Sequence, residues 1–297
     1  MNVMGQVLVL FLLILSGFIA VKTKSINEAG VRGLNAFVVN FALPGMAIAK
    51  LQQEASSELM LDLAYVAILT VVSMLAFGAI IWFGLCRRAP RPQRASMTGM
   101  AMLTNIGFIG LPIMSAALGD DKLIYGIIYA GVSNLVIWSI GVMIYDRSAW
   151  NWKRMFLIPT LIASIIGLIL FVAGIRLPDV LFETLDMLGQ TTTPLAMFII
   201  GTRLTGLRLR DMCDAKLLLL CALRLIVFPL AIYGLCQLLG VSEWVRSSVM
   251  LATAMPCGTA LVIQAENYHG DVALTSRGVA ISTLFCVATI PLLLLLV

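Results

Sequence analysis

The sequence predicts an all-α integral membrane protein, and three observations support this class. Of the 297 residues, 61% are hydrophobic and only 12% are charged, whereas soluble domains are about one quarter charged. The mean hydropathy is +1.02. The apolar residues form long runs, unlike the alternating segments of about ten residues that build membrane barrels. A soluble core could not bury this much apolar surface, so the lipid bilayer is the expected solvent.

Ten segments are long and apolar enough for transmembrane helices, since one span needs about 20 residues. They cover residues 4–21, 31–50, 62–85, 96–118, 123–145, 155–175, 184–203, 216–239, 245–265 and 273–296. The second, fourth, seventh and ninth are the least uniformly apolar. The sequence therefore predicts ten transmembrane helices.

The basic residues predict how these spans are oriented. Most of them lie in the loops after spans one, three, five and seven: Lys22, Lys24, Arg32, Arg87, Arg88, Arg91, Arg94, Arg147, Lys153, Arg154, Arg203, Arg208, Arg210 and Lys216. The intervening loops carry one basic residue each. The positive-inside rule then places both termini of this multi-pass chain outside the cytoplasm, in the cell inner (plasma) membrane. The net charge of +5 reflects this orientation, and no nucleic-acid partner is expected.

The two halves of the chain resemble each other when one is shifted by about 150 residues. The shift aligns pairs of helix-breaking and polar residues: Pro44 with Pro194, Asn105 with Pro256, Gly107 with Gly258, Gly119 with Gly270, and Asp120 with Asp271. Five spans is an odd number, so the second half would enter the membrane from the opposite side. We therefore predict two inverted five-helix repeats, residues 1–148 and 149–297, an arrangement common in secondary transporters.

Helix-breaking residues interrupt the fourth and ninth spans near their centres. The two stretches are "TNIGFIGLPIM" at 104–114 and "MPCGT" at 255–259. In lipid, interrupted backbone is tolerated only where it is buried in protein or lines a wet cavity. Paired interruptions at corresponding positions predict a binding site where the two helices cross. We expect residues 104–112 and 255–259 to leave the helix, although glycines that only permit close packing are the structural alternative.

The interrupted helices predict an anion site. A helix N-terminus has unpaired N–H groups and about half a positive charge, so it attracts an anion without placing a full cation in lipid. Asn105 is expected to donate directly to the substrate. The candidate substrate-binding residues are Asn105, Gly107, Pro256, Cys257 and Gly258.

Four further residues are candidate charge or ion partners. Arg224 lies deep in span eight, where it could balance substrate charge, pair with a carboxylate, or extend to the membrane interface. Thr192 and Thr193, beside Pro194, could coordinate a cation or bond backbone groups that the proline frees. Asn40 could form a hydrogen bond between helices.

Several motifs resemble those of the auxin efflux carrier family, bacterial branch, whose members include malate and malonate permeases. They are "NFALPGMAIAKL" at 40–51, "NIGFIGLP" at 105–112, "MPCGTALVIQAENYHGD" at 255–271, and Pro291. The resemblance extends along essentially the whole chain. It implies a scaffold of spans one, two, six and seven, often dimeric, and a mobile transport part of spans three to five and eight to ten. One departure is that the long loop which joins the halves of plant relatives is only a few residues here.

The predicted function is secondary active transport of a small organic anion by alternating access. The resemblance implies a carboxylate such as malate or malonate, or an auxin-like acid, and a proton or a sodium ion is a candidate coupling partner. A channel or a transport-like sensor is the alternative. An intramembrane enzyme is disfavoured because the chain has one histidine and no pair of mid-span acids. No cofactor or metal is expected, and no Walker A motif indicates ATP-driven transport.

Overall fold

The computed structural model describes residues 3–146, 158–205 and 214–296. Within these ranges the chain is helical, and its one extended pairing is an isolated antiparallel bridge between Thr104 and Cys257. The all-helical prediction is therefore confirmed for the described residues. The predicted boundary after residue 148 lies outside them, as do several basic loop residues: Arg147, Lys153, Arg154, Arg208 and Arg210.

Each predicted span overlaps one or two described helices, and the number of membrane crossings stays a prediction. In chain order the helices are α1 (Val3–Lys22), α2 (Glu28–Lys50), α3 (Ser57–Leu85), α4 (Arg91–Met102), α5 (Ile106–Leu118), α6 (Asp120–Tyr145), α7 (Pro159–Val172), α8 (Asp179–Gln190), α9 (Thr192–Leu204), α10 (Ala215–Leu239), α11 (Glu243–Ala254), α12 (Ala260–Asn267) and α13 (Val272–Leu296). By length and composition, α2, α3, α6, α10 and α13 could each cross a membrane, and shorter apolar helices lie in α1, α5 and α7.

Polar residues between the apolar runs determine where many helices begin. Side chains of Asn27, Ser56 and Ser242 accept hydrogen bonds from the first-turn N–H groups of α2, α3 and α11. Asp271 caps α13 in the same way. These caps satisfy N–H groups that lack a partner within the helix, so each helix starts at a defined residue.

The two described halves repeat one order of elements. Each has a helix, then a helical segment that contains a proline (Pro44 or Pro194), a long helix, an interrupted helix and a long helix. Around Pro44, α2 remains continuous through the π-helical turn Val38–Ala42, whereas the corresponding helix of the second half divides into α8 and α9 at Thr191. This order agrees with an internal repeat, and the inverted orientation remains a prediction.

The helices pack as two groups. In the first group, α1 lies along α9, and α2 packs against α7 and α8. The approach of α1 to α9 requires glycine, because a Cβ atom on Gly17 would collide with the Phe198 carbonyl and one on Gly201 with the Ile14 carbonyl. The second group contains α3–α6 and α10–α13. The groups meet where α5 packs on α1 and α9, and where α6 packs on α2 and α7.

Candidate functional site

The fourth and ninth predicted spans are both interrupted, as the sequence indicates. Between α4 and α5, the backbone leaves the helix at Leu103, which is extended with φ −95° and ψ 112°. Between α11 and α12, Met255 is extended with φ −65° and ψ 148°. The interruptions are in contact, so the two broken helices cross at these segments.

Each interruption satisfies backbone groups of the other. The Asn105 N–H donates to the Pro256 carbonyl at 2.8 Å, and the Gly258 N–H donates to the Leu103 carbonyl at 2.9 Å. The two interrupted segments can approach this closely because Gly258 has no side chain. A Cβ atom at this position would lie 3.3 Å from the Thr104 carbonyl oxygen. Within an apolar solvent, such pairing is what makes interrupted backbone tolerable.

The first interruption is shorter than the predicted range 104–112, which was wrong in its extent. Gly107 and Gly110 lie within the π-helical turn Ile106–Gly110 that opens α5. Pro112 occupies the first turn of the α-helical segment that follows. Proline lacks the N–H group that would continue the helix ladder of α5, and the wider π-helical turn just before it takes up that interruption. The second interruption agrees with its predicted range, since α11 ends at Ala254 and α12 begins at Ala260.

Arg224 lies beside the crossing and is buried, with 1% of its surface exposed. Its Nη1 donates to the Ala101 carbonyl of α4 at 2.9 Å, while Nε and Nη2 have no partner among the described residues. None of the ion pairs in the described part of the chain includes it. The guanidinium lies near Cys257 and Tyr129. Arg224 is therefore a buried cation without a carboxylate partner among the described residues, and its role stays a prediction.

The carboxyl end of α4 is neutralised from within the protein. Besides the Arg224 bond to Ala101, the Cys257 thiol donates to the Met100 carbonyl at 3.4 Å. The Cys257 N–H in turn donates to the Ser282 hydroxyl of α13 at 3.1 Å. The N-termini of α5 and α12 also face the crossing, and the first N–H groups of a helix have no acceptor within it. Two positive helix-dipole ends and the Arg224 guanidinium therefore lie at the crossing, together with the carboxyl end of α11.

Some of the remaining predicted residues lie at the crossing, and others lie away from it. Asn105 is 6% exposed. A Cβ atom at Gly107 would lie 3.5 Å from a methyl of Leu43 in α2, so the crossing lies close to the other helix group. In α9, Thr192 is buried with its hydroxyl unpartnered among the described residues, and Thr193 is half-buried. Asn40 is exposed on α2 and is not part of the buried crossing.

Sequence reasoning missed two polar residues of this site. Ser282 holds the second interruption through the Cys257 N–H, and Tyr129 is a fully buried neighbour of Arg224. Both are polar residues within apolar spans, and that pattern could have marked them. In the described part of the chain, no group of three or more His, Cys, Asp or Glu residues could hold a metal ion.

A mostly apolar cavity of about 380 Å³ lies between the two helix groups. Its walls come from α1, α5, α9 and α13, including Ile109 and Ile113 of α5. None of Asn105, Pro256, Cys257 and Gly258 lines it. All four residues are buried, so a solute does not reach them in this conformation, although a cavity lies next to the crossing along α5.

Comparisons with known proteins agree with this architecture. A family model described as membrane transport protein matches residues 2–151 and 143–294. An uncharacterized transporter of Methanothermobacter thermautotrophicus is 27% identical over 293 residues, which are 96% of this chain and 95% of that protein. A protein of Rhizobium meliloti named putative malonate transporter is 25% identical over 310 residues, covering 100% and 96%. The uncharacterized transporter YfdV of Escherichia coli K12 is 23% identical over 306 residues, covering 97% and 95%.

These matches cover nearly the whole chain and confirm the resemblance that the motifs indicate. The apolar helices, the paired interruptions and the family model lead to one conclusion: the chain belongs to the membrane transport protein family, the auxin efflux carrier-like transporters.

Proposed function

We propose that the chain is a secondary active transporter of a small organic anion, with a carboxylate such as malonate, malate or an auxin-like acid as substrate. The observation that carries this proposal is Arg224, a buried cation beside two crossing broken helices, for which the described part of the chain offers no carboxylate partner. A buried charge in a membrane protein is expensive and marks a functional site by default. The name of the Rhizobium meliloti relative supports malonate as the first substrate to test.

The crossing would bind the carboxylate by hydrogen bonds and by the attraction of Arg224 and two helix N-termini. Because Arg224, Cys257 and Gly258 partner the carbonyl groups at the end of α4, those negative dipole ends do not repel an anion. The N-termini of α5 and α12 remain to attract it. Asn105 would supply the side-chain donor, Pro256, Cys257 and Gly258 would contribute the opened main chain, and Gly107 would contribute the first turn of α5.

Alternating access would arise from movement between the two helix groups. The group of α1, α2 and α7–α9 would form the scaffold, and the group of α3–α6 and α10–α13 would carry the crossing. Asn105 is buried in the present conformation, so the substrate would reach it only when α5 shifts relative to α1, α2 and α9. Ten spans with both termini outside the cytoplasm would place this crossing near the bilayer centre.

Transport assays in proteoliposomes test the proposal. The purified chain is reconstituted, and uptake of radiolabelled malonate is measured beside a panel of mono- and dicarboxylates, with imposed proton or sodium gradients. We expect saturable uptake and counterflow, in which unlabelled internal substrate accelerates entry of the label. Uptake without saturation would indicate a channel. Absence of uptake for the whole panel, with the protein correctly folded, would contradict the proposal and favour a sensor.

A further inference from the structure

A second cavity, of about 660 Å³, lies between α3, α4 and α6, and the transport proposal does not use it. It opens near the start of α4, and Arg91, Arg94 and Thr98 are among its lining residues. Their spacing of three and four residues places them on one face of α4. One wall of the cavity is therefore polar, and it runs along one face of α4 from the first residue of the helix, Arg91, to Thr98.

Arg94 is held in a fixed orientation at this wall. Its Nε donates to the Trp82 carbonyl at 3.0 Å, and its guanidinium carbon lies 4.0 Å from the centre of the Trp82 ring. These contacts use Nε and one face of the guanidinium, so the donors on its two terminal nitrogens remain for a ligand. Arg91 is exposed one turn earlier, at the mouth of the cavity. Planar guanidinium donors match the oxygens of a phosphate.

Thr98 supplies an independent indication of a polar ligand. Its residue is 2% exposed, it lines the cavity, and its hydroxyl has no partner among the described residues. A buried hydroxyl without a partner costs free energy, since it has lost its hydrogen bonds to water. A ligand that brings an oxygen into the cavity would satisfy this group.

The opposite wall is apolar and faces outwards. Phe83 of α3 is 69% exposed, and Leu75 of α3 and Met143 of α6 are exposed as well. In a membrane protein, exposed apolar side chains of this kind contact lipid chains. The cavity thus joins an anion-binding end to a surface that lipid covers, and this combination matches a phospholipid in which a phosphate and an acyl chain are joined.

We propose that this cavity binds an anionic phospholipid, with its phosphate between Arg91 and Arg94 and an acyl chain against α3 and α6. Basic pockets between transmembrane helices recognise anionic headgroups. Arg87 and Arg88, exposed in the preceding loop, add to the positive charge. Because α4 is half of the first broken helix, a lipid bound in the cavity would stabilise the packing of this helix against α3 and α6.

The test measures the thermal unfolding midpoint of the full chain in detergent with added lipid. Phosphatidylglycerol or cardiolipin should raise the midpoint saturably, by roughly 5 °C at a concentration near one hundred times Kd. Phosphatidylcholine should raise it far less. Native mass spectrometry should show retained anionic lipid. This readout is independent of transport, so it separates failure of this proposal from failure of the proposed function.

Variants assign the effect to the cavity. Arg91→Gln combined with Arg94→Gln should raise the apparent Kd for phosphatidylglycerol at least about tenfold, and Thr98→Val should raise it by a smaller factor. Arg32→Gln, an exposed arginine of α2, is the matched control and should leave it unchanged. Since loss of the Trp82 contact could weaken folding, the difference between lipids is compared, not the absolute midpoint. Equal stabilisation of the double variant, or equal effects of phosphatidylglycerol and inorganic phosphate, would overturn the proposal.

Discussion

The two broken helices meet at one point but contribute different chemistry. The first break carries Asn105, a side chain that can donate a hydrogen bond, and the residue at the corresponding position of the second break is Pro256. The second break instead contains Gly258, which allows the backbones to touch, and Cys257, which is held at both its N–H and its thiol. Related positions of the two halves therefore have different surroundings.

This difference suggests a division of roles within the crossing. The first break would recognise the substrate, because it offers the polar side chain of Asn105, and Gly107 in the following turn lies close to Leu43 of the other helix group. The second break would hold the first in place, through Gly258 to Leu103 and Cys257 to Met100. We therefore expect changes in the first break to reduce transport at normal stability, and changes in the second to reduce stability.

The largest effect is expected for Asn105→Ala. Malonate uptake should fall about a hundredfold, to near background, because a hydrogen bond to a charged group contributes roughly 1.5–3 kcal/mol. The unfolding midpoint in detergent should stay unchanged, since the backbone bond to Pro256 remains. Asn267→Ala, an exposed asparagine at the end of α12, is the control. Normal uptake by the Asn105 variant would move substrate recognition away from the first break.

Gly258→Val should cost stability as well as uptake. A Cβ atom at this position already lies 3.3 Å from the Thr104 carbonyl, and the added methyl groups would push the two breaks apart. Overpacking of this kind costs about 1–3 kcal/mol. Gly234→Val in α10, where a Cβ atom meets open space, is the matched control. If both variants unfold at the same temperature, the close approach of the two breaks is not required for folding.

Arg224→Met should weaken substrate affinity without weakening the fold. If a substrate carboxylate binds about 10 Å from the Arg224 guanidinium, the two charges attract each other by roughly 1.7 kcal/mol at an effective dielectric constant near 20. Loss of this attraction should raise KM for malonate about tenfold or more. The midpoint should change little, because removal of a buried charge with two unpartnered donors offsets the loss of its bond to the Ala101 carbonyl. Arg224→Lys keeps the charge and should retain most of the affinity. A KM unaffected by Arg224→Met would show that the substrate does not sense this charge.

The smallest effect is expected for Ser282→Ala. Removal of the hydroxyl leaves the buried Cys257 N–H without its acceptor, at a cost of about 1–3 kcal/mol, while uptake should stay within about twofold. Ser139→Ala is the control, because that hydroxyl bonds only to carbonyls of its own helix. A large loss of uptake at normal stability would give the second break a direct role in recognition and remove the proposed division.

The sequence alone determined the helices and the places where two of them break. The length of an apolar run and its capping residues are local properties of the sequence. For this reason the observed first residue lies within five residues of the predicted span start in α2, α3, α6, α10 and α13. The glycines, the asparagine and the proline near the middle of spans four and nine are local signals as well. They identified the site region because a helix in lipid can be opened only by residues that tolerate it.

Only the tertiary structure decided how the opened backbone is satisfied. The pairing of Asn105 with Pro256 and the bond from Arg224 to Ala101 join residues more than one hundred positions apart, and hydrophobic periodicity carries no information about such contacts. The extent of the first break was decided in the same way, since a π-helical turn placed Gly107 and Gly110 inside α5. A broken helix must find its missing partners elsewhere in the chain, and which groups supply them depends on packing in three dimensions.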